Sequence, residues 1–104
     1  MSNQPLSEQF RVIAKKWVEA DTAASMLEET KSAVLSQMML QLGDLPVSRA
    51  EMSVKGSTEW LLHIEKMVQS RSEANLLKVQ LEYLRMRHSE QQSFEATSRA
   101  EMRL

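Results

Sequence analysis

The sequence predicts an all-α protein, a long antiparallel helical hairpin with a short helical elbow that completes a bundle by oligomerisation. Three observations carry that expectation. Glycine and proline, which punctuate helices, occur only as Pro5, Gly43, Pro46 and Gly56, so residues 7–42 and 57–104 run without either. Apolar residues in both stretches recur at alternating spacings of three and four, which places them on one face of a helix. Two helices of about 35 and 45 residues would be about 50 and 70 Å long and bury only one face of each arm, so a second hairpin is the simplest cover for the remaining Leu and Met surface.

The first arm starts after Pro5, with Ser7 placed to cap its first turn; Phe10 stands three positions on, so no capping box accompanies it. Its seam reads Phe10, Ile13, Trp17, Ala20, Ala24, Leu27, Lys31, Val34 and Met38, with Lys31 the one charged interruption. Residues 7–42 form either one long helix or two. A break is expected, if anywhere, at Glu19-Ala20-Asp21-Thr22, with Asp21 or Thr22 capping the second piece. Gly43 suits a left-handed position after the last helical residue, and Pro46 cannot continue the helix.

The elbow follows as a short helix over 48–55, with Ser48 and Glu51 at capping-box spacing and Gly56 ending it. Ser57 or Thr58 then caps the second arm, 58–88. Its seam is Trp60, Ile64, Met67, Ala74, Leu77, Leu81 and Leu84, with His88 at the far end and Leu61, Val68 and Leu76 widening it. From Ser89 to Ser93 the burial face turns polar, so residues 89–104 are a helical extension or a tail. The whole of 1–104 reads as a single helical domain.

Composition narrows the function classes. Thirteen Lys and Arg against fourteen Asp and Glu give a net charge of -1, so no overall positive field draws the chain to nucleic acid. The absence of cysteine removes disulfides, thiol nucleophiles and thiolate metal sites, and fits a reducing compartment. No stretch resembles a secretory signal or a membrane span, so the expected setting is cytoplasmic, without a membrane partner and with the whole chain as the mature protein. The eight methionines serve adaptable core packing or mark a partner surface.

Nothing in the sequence assembles a catalytic constellation. His63 and His88 are 25 residues apart, about 37 Å along a straight helix, and neither has a carboxylate at zinc-site spacing. The Glu-x-x-His pair of a bundle di-metal centre does not occur, and no glycine-rich loop could cradle a phosphate. Glu28 with Lys31 and Glu82 with Arg85 read as solvated surface pairs. No catalytic residue, cofactor or metal is expected, and the chain is not expected to be an enzyme.

Two features could carry binding. Arg71, Lys78 and Arg85 recur every seven residues, Arg99 continues that face, and Arg87 and His88 thicken it near the middle; this is a candidate nucleic-acid contact. The same residues equally suit the flanks of a burial seam, with their stems covering apolar surface and their heads in water. Candidate protein contacts are Met52 on the elbow and Phe94, Met102 and Leu104 in the tail, where a helical end with few neighbours can bury its apolar side on another chain.

Leu27-Glu28-Glu29-x-Lys31 on a long helix, a short capped elbow, Trp60 at the next helix start, and the closing Arg99-Ala100-Glu101-Met102-Arg103-Leu104 together resemble small helical proteins of phages and prophages without assigned activities. Phe94 stands where that pattern would have a tryptophan. The resemblance implies a host-cytoplasmic accessory to recombination or packaging, or an inhibitor or adaptor that binds host complexes. The expected function is accordingly a non-catalytic helical interaction protein, an oligomeric accessory or adaptor with a dimer favoured. The alternative is a nucleic-acid-binding accessory using the basic stripe.

Overall fold

The computed structural model describes residues 4–102, and these are helical with no strand among them. In chain order they form α1 (Leu6–Glu29), α2 (Lys31–Leu40), α3 (Val47–Lys55) and α4 (Thr58–Met102). The molecule is a rod of 83 × 23 × 17 Å. α1 lies along α4, whereas α2 packs on α3, which rests against the start of α4.

α1 begins one residue before Ser7. Pro5 is its N-cap, in extended backbone (φ -61°, ψ 154°), and its carbonyl accepts from the Glu8 and Gln9 amides at 3.0 and 3.1 Å. Ser7 therefore lies inside the first turn and makes no capping bond, contrary to the role expected of it. The break in the first arm also falls elsewhere than expected. The helix runs unbroken through Glu19–Thr22 and is interrupted at Thr30 (φ -91°, ψ 0°). There the Thr30 hydroxyl donates to the Met26 carbonyl at 2.7 Å, and such back-bonding competes with the ladder and bends helices. Asp21 does not cap a second helix; it is engaged across the hairpin.

Gly43 adopts φ +83° after α2, the left-handed turn its sequence position predicts, and a side chain there would be strained. α3 starts at Val47 with Pro46 as its cap, two residues earlier than a Ser48 capping box requires. Ser48 makes no capping bond, and the Pro46 carbonyl accepts from Ala50 at 2.9 Å instead. Ser57 does join the elbow to the second arm: its hydroxyl donates to the Val54 carbonyl at 2.6 Å and accepts from the Trp60 amide at 3.2 Å.

α4 runs for 45 residues, about 68 Å at 1.5 Å per residue, without interruption at Ser89–Ser93. All of Phe10, Ile13, Trp17, Leu27, Val34, Met38, Trp60, Ile64, Met67, Leu77, Leu81 and Leu84 are buried or half-buried, so the seams meet as expected. The pairing is antiparallel, as Arg71 reaches Asp21, Ser25 and Glu28 while Arg85 lies over Phe10. In that register Ala24 and Ala74 stand at about the same level, and both are fully buried. Two alanines there allow the helix axes to approach closely, at the short end of the 8–10 Å range. Leu61, Val68 and Leu76 do not widen the seam, since each is more than half exposed.

Leu6 and Ser7 line a groove with His88 and Ser89, so α1 begins level with that part of α4. The last thirteen residues of α4, 90–102, extend about 20 Å past the end of the hairpin, and only Ser98 among them is less than exposed.

Candidate interaction surfaces

The strongest polar feature is a staple across the hairpin. Arg71 sends Nη1 to Asp21 Oδ1 at 2.6 Å, holds Glu28 with Nε and Nη2 at 2.8 Å each, and reaches Ser25 Oγ at 3.2 Å. This two-pronged geometry uses the planar guanidinium fork that lysine lacks. Hydrogen bonding from Arg71 holds the Glu28 carboxyl below its ordinary value, and the two carboxylates hold Arg71 above its own. Glu28 is thus committed to α4 instead of pairing with Lys31. Arg85 likewise does not form the expected pair with Glu82; its guanidinium carbon sits 5.5 Å from the centre of the Phe10 ring.

The staple changes the candidate nucleic-acid face. Arg71 is half-buried between acidic partners, leaving Lys78, Arg85 and Arg99 exposed along the same side of α4. Arg99 donates from Nε to the Glu95 carbonyl at 3.4 Å. Arg87 does not thicken that stripe, because two residues beyond Arg85 is about 160° around the helix at 100° per residue.

The histidines stand far apart in different settings. His63 stacks on Trp60, with ring centres 5.7 Å apart and planes inclined by 29°, and its buried Nε2 has no hydrogen-bond partner among the described residues. His88 is exposed and borders the groove between Leu6, Phe10 and Leu84, of about 500 Å³. Among the described residues no group of three or more His, Cys, Asp or Glu is placed to hold a metal ion, and no helix is long and apolar enough to cross a membrane.

Apolar exposure is where the molecule is unusual, and it is organised. At the elbow end Leu40, Val47 and Met52 are 80, 73 and 77% exposed, with Leu42 and Leu45 beside them. At the other end Phe94 and Met102 project from the overhang of α4; Leu104 lies outside the described residues. Between the two ends, Leu76, Val79, Tyr83 and Met86 form an exposed stripe on the outer face of α4, each more than half accessible. Leu81 points to α1, and Val79 and Tyr83 fall on either side of the direction opposite it, about 160° away each way.

Val79, Tyr83 and Met86 fall outside the seams expected from the sequence, and Leu76, expected to widen the inner seam, is exposed instead. The signal is present in the sequence: 76, 79, 83 and 86 follow the same 3-4-3 spacing as the buried seam. No family model, curated protein or solved structure matches the chain.

Proposed function

We propose that this chain is a non-catalytic helical interaction protein, an oligomeric accessory or adaptor that acts by covering apolar surface together with protein partners. The observation that carries this reading is the ordered exposure of large apolar side chains at the elbow, along outer α4 and on the overhang. Contiguous exposed apolar surface on a soluble chain marks places where another surface fits. The buried side, by contrast, is thin: Ala24, Ala50, Val54, Trp60, Ala74, Leu81 and Leu84 are its buried apolar members.

Self-association belongs to the outer face of α4 in this reading. The elbow and overhang, with Met52, Phe94 and Met102, are the surfaces offered to other proteins. A phage or prophage accessory in the host cytoplasm is the context suggested by the closing Arg99–Leu104 segment. The nucleic-acid alternative has less support, since the first residue of its stripe, Arg71, is already paired with Asp21 and Glu28.

Sedimentation of the pure chain at low and high salt, with and without short duplex DNA, tests the choice. Apolar association should persist or strengthen at high salt and ignore the duplex. A complex formed only with DNA and dissolved by salt would replace this reading with the nucleic-acid one.

A further inference from the structure

We propose that the occupant of outer α4 is a second copy of this chain, packed antiparallel through α4 about a two-fold axis level with Leu81. This rests on the interaction reading above and specifies its first partner. The argument begins with self-complementarity, because a two-fold interface must match a surface to itself. Reversing the helix about position 81 sets Leu76 against Met86 of the second copy and Val79 against its Tyr83. Each pair occurs twice, so eight apolar side chains that are exposed in the single chain meet in one strip. Their 3-4-3 spacing is that of helices packed side by side at a shallow angle.

Charge selects the direction. Glu73 and Arg87 lie on the same flank of that stripe, and neither has an ion-pair partner among the described residues. Antiparallel packing brings Glu73 of each copy beside Arg87 of the other. Parallel packing would leave Glu73 of one copy and Arg87 of the other about 21 Å apart along the helices and on opposite flanks, so the pair would be lost. On the same flank Phe94 falls beside Lys66 of the second copy, within reach of a cation–π contact. Like charges meet in two places: on the opposite flank Glu82 faces its own copy across the axis, and Glu90, on the line of the stripe, comes level with Glu73 of the second copy beside Arg87.

Length agrees with the same axis. α4 spans Thr58–Met102, so its midpoint lies one residue from Leu81, and two copies overlap along almost the whole helix. The overhang of each copy, which has no neighbour in its own chain, then lies along residues 60–72 of the other. A contact strip roughly 10 Å wide along about 65 Å buries about 1,300 Å² in total, within the range of stable interfaces. The four long helices lie side by side in the order α1, α4, α4, α1. This is a flat array, unlike the compact four-helix bundle expected from the sequence.

The chain has no cysteine, so single cysteines report orientation without background. Gln80 sits on the Glu73 and Arg87 flank almost on the axis, and Gln80→Cys should be joined to itself by a short bismaleimide. Ser72→Cys should not be, since its two copies stand about 27 Å apart along the axis. Leu76→Asp with Tyr83→Asp should weaken the dimer at least a hundredfold while circular dichroism keeps its helical signal. Glu82→Gln should tighten it about two- to threefold by removing like-charge repulsion.

Cross-linking of Ser72→Cys but not Gln80→Cys would overturn the antiparallel axis. Salt-resistant assembly that survives the double aspartate variant, and is lost instead with Val47→Asp and Met52→Asp, would overturn this interface and leave the interaction reading standing. Assembly that requires DNA and dissolves in salt would overturn both.

Discussion

The two faces of α4 carry the same grammar and meet different fates. On one, Trp60, Met67, Ala74, Leu81 and Leu84 are buried or half-buried against the rest of the chain; on the other, Leu76, Val79, Tyr83 and Met86 repeat the spacing and remain wet. Burial follows the availability of a neighbour. Heptad spacing says that a face is suited to packing, and the rest of the chain decides whether the partner is internal. The Arg71 staple adds register to the inner face, fixing which level of α1 meets which level of α4. The outer face has no equivalent among the described residues; in the proposed dimer that role falls to Glu73 and Arg87.

The contrast is broken most severely by Leu81→Ala. Truncating this buried side chain should cost about 3 kcal/mol, read as a shift in urea midpoint, because the thin core has little with which to fill the space. Ala24→Leu should cost about 2 kcal/mol by forcing the helices apart at their alanine level, and it should also lower circular dichroism melting temperature. At concentrations where the chain is monomeric, Tyr83→Ser should leave the urea midpoint within about 0.5 kcal/mol of the parent, since Tyr83 is 57% exposed and gives up far less burial than Leu81. An equal loss from Leu81→Ala and Tyr83→Ser would abolish the distinction between the faces.

The staple makes the stability of the inner face depend on pH. Arg71 holds Glu28 below its ordinary value in the folded chain, so as pH falls the unfolded chain takes up the proton first. Stability from this pair is therefore complete above the ordinary carboxylate value and is lost as pH falls through the lowered folded value. Urea midpoints at neutral pH and below the carboxylate range should differ less for Glu28→Gln than for the parent. The remaining acid sensitivity includes Glu8, held low by Arg11. High salt should reduce the difference between the two proteins only partly, as the Arg71 fork is half shielded by α1.

The helices themselves are legible in the sequence, as are both inner seams, the left-handed Gly43 and the Ser57 cap. These depend on local spacing and on residue types with narrow backbone or hydrogen-bonding roles. The starts of α1 and α3 are misread because Pro5 and Pro46 provide the extended residue that Ser7 and Ser48 would have provided. The break at Thr30 depends on one hydroxyl rotamer, and spacing does not reveal it. Neither does spacing reveal the staple, since the fifty residues between Asp21 and Arg71 are joined only after the hairpin closes.

The repeated Ser-Arg-Ala-Glu-Met shows the limit most plainly. It is helical at both 48–52 and 98–102, yet Ala50 is buried under the elbow and Ala100 is exposed on the overhang. Identical local sequence settles conformation in both places and leaves burial to the neighbours. The same reason hides outer α4 as a candidate surface: once Leu76 is assigned to the inner seam, the run through Met86 is no longer seen as a second one.

Small-angle X-ray scattering of the assembled chain tests most directly whether α4 serves two seams. Antiparallel overlap about Leu81 should give twice the mass of one chain and a longest dimension of about 100 Å, because the 83 Å rods share the length of α4 and only their elbows protrude. A particle of single-chain mass at every concentration, or a dimer about 160 Å long joined end to end, would contradict it.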